Sequence, residues 1–415
     1  MARNHMLFVV CCAALFLFSY YITDTRIQKN TERVAAYYDV IENQEKLRED
    51  VPVTEADLEG IRACKSENKS EAEVCMRDFY DVYTMKNGTA KAFAHLARLQ
   101  KEHKELLPGC HYISHGIGHA SLRLNGDVPS DAFLIMQTGG FFKNVATCGN
   151  GYFHGVIEEA AKDITDNKAL AEKLKSICST ASPGTSCYHG SGHAALIQKE
   201  YNVEDMLKVC DMVSDKPDDV FECHTGGYME YGQIADGIGH VKNGKLKLVF
   251  CDAQEKRYQP ACYMEQSSIF ENYSSEPRNY ARNIGFCKQF DDPLNRMACV
   301  KLFAIRSVRI SHFNDVYTMC NNTSTTQERI ICTAVAASKI GQSRDKNRGK
   351  EFRSIARDVC HTMNPLYASY CQHLIFKQPS QLFYTSDRDL SFSTWGDLFF
   401  GWMTYYSKYN GTKSS

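Results

Sequence analysis

Charge of one sign is missing from this chain. Lys and Arg number 48 against 49 Asp and Glu, the formal net charge is −1, and no long basic run occurs. A phosphate backbone would find no electrostatic footprint here, so nucleic acid is excluded as the expected partner. Several catalytic signatures are also absent: no H-E-x-x-H, no G-x-S-x-G elbow, no Walker A loop, and no G-x-G-x-x-G opening a suitable unit. Gly116-Ile-Gly118 and Gly190-Ser-Gly192 are too short to cradle a phosphate. C-x-x-C ligand pairs are lacking as well, although the chain carries 18 cysteines.

What is present bounds the fold. A chain of 415 residues, 43% hydrophobic and 11% aromatic, can bury a large core. Cysteines in spaced pairs favour disulfides and an oxidising compartment. N-x-S/T sequons starting at Asn68, Asn87, Asn272, Asn321, Asn322 and Asn410 agree with a glycoprotein. At the N-terminus an apolar run, Leu7 to Ile22, follows Arg3 and ends in Ser-Tyr-Tyr-Ile, without the small residues of a cleavage site. The expectation is an uncleaved signal anchor over 1–22, a signal peptide being the alternative. The body then lies in the lumen or the extracellular or periplasmic space. Cys11 and Cys12 fall inside this run and are set apart from the disulfides. A polar stem over 23–56 follows, with Ile27, Val34 and Ile41 at seven-residue spacing.

From residue 57 the cysteines recur. Spaced pairs occur at Cys64/Cys75, Cys178/Cys187, Cys210/Cys223, Cys251/Cys262, Cys287/Cys299, Cys320/Cys332 and Cys360/Cys371. The second members, with Cys110 and Cys148, form a series whose gaps run from 33 to 39 residues, the mark of a repeat architecture. The stretch before each pair has apolar residues at three and four, as in Asn202-Val-Glu-Asp-Met-Leu-Lys-Val-Cys210, with Asn or Asp near the start as a cap. Each repeat therefore reads as helix A, cysteine, loop, cysteine, helix B. Spacing suggests that each local pair closes its hairpin and that Cys110 and Cys148, lacking local partners, join each other.

The segment Cys223-His-Thr-Gly-Gly-Tyr-Met-Glu-Tyr-Gly232, with the two-helix period around it, resembles the disulfide-bridged Sel1-like branch of the tetratricopeptide superfamily. The resemblance covers 57–375 as architecture and implies a binding solenoid with no catalytic residues. The expected fold is all-α: an array of about nine disulfide-stapled two-helix repeats, a solenoid or an α/α ring, behind the N-terminal membrane anchor. An aromatic segment over 376–415, holding both tryptophans, Trp395 and Trp402, is expected to cap the array; contact with the membrane interface is the sharper alternative.

The centre of the array, 110–230, holds the chemistry. His115 and His119, His154 and Glu158, and His189 and His193 are each spaced by four, which places both members on one helix face. Two imidazoles so spaced can share a metal ion, and side chains from neighbouring helices can complete the site. If every helix B lines one face, these pairs converge, with Glu230 or Glu265 adding oxygen. The expected ligands are therefore His115, His119, His154, Glu158, His189, His193 and Glu230, around a divalent transition metal whose identity as zinc, iron or copper the donors do not separate. Gly116, Gly118, Gly155, Gly190 and Gly192 lie inside the same helices, where each costs about 1 kcal/mol relative to alanine. They imply either close helix approach or room for a ligand, and they weaken the helix expectation around His193.

His111 and His224, directly after cysteines, read as structural, and His240, His312, His361 and His373 are isolated. Tyr152, Tyr188 and Tyr228 read as packing between repeats. The expected function is a metal-dependent enzyme activating water or oxygen. The alternative is an extracellular scaffold or receptor for a small molecule, peptide or glycan, and a membrane-linked structural role comes third.

Overall fold

The structure, a computed structural model, describes residues 51 to 336 apart from short internal stretches, the longest being 139–147, 269–278 and 308–314. The anchor over 1–22, most of the stem, Cys360/Cys371 and the aromatic tail lie outside the described residues. Among the described residues no helix is long and apolar enough to cross a membrane.

The described chain is helical but for one antiparallel ribbon, β1 (His240–Lys242) with β2 (Lys245–Lys247). Three of the outer helices begin with side-chain caps. In α1 (Glu55–Ala63) Thr54 and Asp57 form a reciprocal capping box. Val51, a few residues before it, is already buried, so the fold begins within the expected stem. Asp166 accepts from Ala169 N, at 2.8 Å, ahead of α7 (Asn167–Thr180), and Asn202 accepts from Asp205 N, at 3.1 Å, ahead of α9 (Val203–Cys210). These caps satisfy amide protons that the first helical turn leaves unpaired. The remaining outer helices of the N-terminal half are α3 (Thr89–Glu102) and α5 (Pro129–Thr138).

The inner helices are α2 (Lys69–Asn87), α4 (Cys110–Leu124), α6 (Gly151–Ala160), α8 (Cys187–Gln198) and α10 (Pro217–Ile234). Beyond the short α11 (Val249–Asp252), α12 (Gln259–Gln266) continues the row, and after α13 (Tyr280–Asn283) comes α14 (Pro293–Ser307), with α15 (Asp315–Asn321) last. Packing runs in sequence, α2 on α4, α4 on α6, α6 on α8, α8 on α10, α10 on α12, and α12 on α14. One continuous apolar core runs through the row, from Leu58 and Tyr80 through Phe93, Tyr152 and Tyr228 to Phe303. Each such ring or branched chain contributes about 1.5–3 kcal/mol on burial.

Seven disulfides staple the described array. Six close hairpins, Cys64–Cys75, Cys178–Cys187, Cys210–Cys223, Cys251–Cys262, Cys287–Cys299 and Cys320–Cys332. The seventh, Cys110–Cys148, joins the start of α4 to the residues before α6, across 38 residues. Their Cα separations of 5.3 to 5.7 Å lie in the favoured range.

The inner glycines do not interrupt their helices, so His115/His119 and His189/His193 keep the one-face relation. Their use is close approach. A Cβ on Gly155 would lie 2.1 Å from the His115 backbone oxygen, and one on Gly192 would lie 1.9 Å from that of Cys223. Neighbouring inner helices touch backbone to backbone at these points. Side chains flanking the contacts are thereby drawn together.

Candidate metal centre

Three inner helices supply the cluster. Helix α4 presents His111, His115 and His119 on successive turns, α6 presents His154 and Glu158, and α8 presents His189 and His193. The Cys110–Cys148 bridge brings the first turn of α4 against the chain entering α6, and the Nδ1 of His111 lies 2.7 Å from the Cys148 carbonyl oxygen. A carbonyl only accepts, so Nδ1 carries the proton and Nε2 keeps its lone pair.

Four imidazoles then face one another. Ring centres of His111, His115 and His154 are 4.9, 5.1 and 5.6 Å apart, and their candidate ligand atoms all lie within 4.8 Å of one another. The His193 ring stands 4.7 Å from His154, 5.7 Å from His115 and 6.1 Å from His111. Carboxylates fix two of the rings from behind. His115 Nδ1 sits 2.9 Å from Glu158 Oε1 and 3.1 Å from its Oε2. His193 Nδ1 is 2.8 Å from Glu230 Oε2, which also accepts from the Tyr112 hydroxyl. The Tyr112 ring lies flat against His115, 4.9 Å between centres and 6° between planes.

The inward nitrogens have no partner. His111 Nε2, His115 Nε2, His193 Nε2 and both nitrogens of His154 are buried without a hydrogen bond. Each unmet buried polar atom costs about 1–3 kcal/mol. Protonation does not relieve the crowding: burial first, then the neighbouring histidines, push His111 and His154 well below the usual imidazole range. Unpartnered inward nitrogens, with the outer nitrogens of His111, His115 and His193 held by a carbonyl or a carboxylate, match the arrangement that metal-bound histidines take, while neither nitrogen of His154 has such a support. His111, His115 and His154 can hold a metal ion.

The other expected site residues stand around this core. Glu158 Oε2 lies 2.9 Å from His119 Nε2 as well as holding His115, so His119 and Glu158 form the wall behind the ligands. Burial raises the Glu158 carboxyl, but His115 and His119 outweigh it and hold it well below the carboxylate range. Glu230 faces His193 from α10. Both nitrogens of His189 are engaged, Nδ1 3.0 Å from Thr225 Oγ1 and Nε2 3.2 Å from Met229 Sδ, which places it beside the cluster. Glu265 on α12 is buried, and burial pushes its carboxyl up to about 7. His224 pairs with Asp211 at 3.1 Å, a packing role as its position after a cysteine suggests.

His111 is the residue that the sequence reading set aside. The signal was there, since 111, 115 and 119 form a ladder of fours on α4. A place directly after a cysteine speaks for packing in one hairpin and for a ligand in another. What separates His111 from His224 is the bridge to Cys148, which turns its ring towards α6.

No protein-family model matches the chain, and no curated protein or solved structure matches it. The arrangement of the imidazoles, rather than kinship, carries the functional reading.

Proposed function

We propose that this chain is an extracytoplasmic, disulfide-stapled metalloprotein in which the Nε2 atoms of His111 and His115 and one nitrogen of His154 hold a divalent transition metal. The observation that carries the reading is the set of buried, unpartnered imidazole nitrogens converging from α4 and α6, with His193 facing them from α8. Zinc, iron and copper all suit imidazole donors. Three protein ligands would leave a further position, and the chemistry a bound ion would supply there is activation of water or dioxygen.

The residues of the chain divide the remaining work. Glu158 orients His115, the Cys148 carbonyl orients His111, and Glu230 orients His193. The disulfides mark an oxidising compartment, and the apolar run from Leu7 to Ile22 is read as the tether to its membrane.

A peptide- or glycan-binding scaffold is the competing function for such an array. It would disperse its imidazoles along the inner face with both nitrogens partnered, whereas these rings cluster with their inward nitrogens unpartnered. The deciding experiment is elemental analysis of the protein made in an oxidising host, beside a His115→Ala/His154→Ala variant. Stoichiometric metal in the parent and none in a folded variant is the expected result. Absence of metal from the parent after reconstitution with zinc, iron and copper would leave the scaffold.

A further inference from the structure

Among the described residues, each of α4, α6, α8, α10 and α12 packs between two inner helices, whereas α2 packs against one, α4. A stacked array needs a polar outer face at its end. The first hairpin instead carries a cleft of about 970 Å³ between α1 and α2, with Val51, Phe79, Val82 and Tyr83 in its wall and Asp78 and Lys86 beside them. Val82 keeps 70% of its surface exposed, the largest fraction of any large apolar side chain among the described residues. Phe79, Val82 and Lys86 follow one another at three and four residues, so the wall is a stripe along one face of α2. Cys75 and Lys86, both in that wall, stand eleven residues apart on α2, which makes the cleft about 16 Å long. A groove of this kind between two helices suits the apolar face of a third.

We infer that residues 31–45 of this same chain dock in the cleft as an amphipathic helix and cap the array. The described structure begins at the cleft itself. Val51, its first residue, lines the wall, is buried, and has its carbonyl held by Arg98 Nη1 at 3.3 Å. The segment that leads into it has the pattern such a groove takes: Val34, Tyr37, Tyr38 and Ile41 recur at three, four and seven residues, and neither glycine nor proline occurs from Ile22 to Val51. Thr31 followed by Glu32 supplies a capping residue and a first-turn acid. A helix over 31–45 would run about 22 Å, enough to fill the cleft from end to end. The five residues Lys46 to Asp50 reach at most about 17 Å, so that helix can enter from either end. A short link also fixes which occupant wins. It holds the segment at an effective concentration in the millimolar range, against which a second copy would have to compete from solution.

Hydrogen exchange on the 415-residue chain tests this, with a synthetic peptide of residues 31–45 as the reference. Amides of residues 34–41 should exchange at least about 10-fold more slowly in the chain than in the peptide. Val82→Asp should return them to the peptide's rate and leave the exchange of α4 and α6 as in the parent, since the Val82 side chain is mostly in solvent. A photoreactive p-benzoylphenylalanine in place of Val82 should crosslink within its own chain, to residues 31–45. Peptide-like exchange in the parent would overturn the inference, and so would protection that survives Val82→Asp in a folded array. Crosslinks that join two chains would overturn it as well and make a second copy the occupant. The parent's exchange and the crosslink are both read without the charged variant, so misfolding of Val82→Asp does not rescue the idea.

Discussion

His193 Nδ1 meets Glu230 Oε2 at 2.8 Å between α8 and α10, and both side chains are shut from water, at 0% and 3% exposure. Glu230 also receives the Tyr112 hydroxyl from α4, so one carboxylate ties three inner helices together behind the cluster.

Glu230→Gln keeps an acceptor of the same shape but removes the charge. Loss of a carboxylate behind a ligating imidazole lowers affinity about 10–100-fold, so Glu158→Gln, behind His115, should lose that much, and Glu230→Gln, behind His193, which faces the ion without being one of the three ligands, should lose less. Both losses should appear in competition with a chromogenic chelator. The far-ultraviolet circular dichroism should stay unchanged.

Acid should destabilise the metal-free protein in a defined window. His111, His154 and His189 are held below their ordinary value of 6.5, chiefly by burial, so below that pH the unfolded chain binds protons that the native state refuses. Stability is then full above pH 6.5 and falls as the pH drops towards the folded-state values, by up to about 1.4 kcal/mol per pH unit for each histidine. Thermal melts between pH 8 and pH 5 should show this slope. A flat melting temperature across that range would mean that these rings are already charged or open to solvent.

Removing the Cys110–Cys148 bridge should cost more than a staple. In the chain-entropy model a loop of 38 residues is worth about 4 kcal/mol. The bridge also aims His111 into the cluster, so Cys110→Ser/Cys148→Ser should lose metal as well as stability. Cys287→Ser/Cys299→Ser, which breaks a hairpin far from the cluster, should lower denaturant stability and leave metal content intact. Equal metal content in the two double variants would show that His111 needs no positioning.

Helix approach is testable at one atom. Gly155→Ala would place its methyl 2.1 Å from the His115 backbone oxygen and must push α6 away from α4, at about 1–3 kcal/mol or more. Gly285→Ala meets nothing within 4 Å and should stay within about 0.5 kcal/mol of the parent. Paired melting curves give the comparison directly.

The sequence by itself determined the two-helix period, the caps at Asn202 and Asp166 and the local disulfides. These rest on contacts between residues no more than about a dozen apart, Cys251 with Cys262 at eleven and Asn202 with Asp205 at three. It also determined which helix faces carry histidine, because a spacing of four survives whatever the helices pack against. Only the tertiary structure decided which nitrogens face inward. His111 and His224 each follow a cysteine, yet one ring is turned to the cluster by a bridge to the next repeat, while the other is drawn to Asp211. His189 and His193 share one helix face, yet one is bound on both sides by Thr225 and Met229 while the other keeps a free nitrogen. For His189 and His193 the neighbouring helix makes the choice, through partners 36 to 40 residues away in the chain, and no local pattern of sequence records which of its side chains arrives opposite.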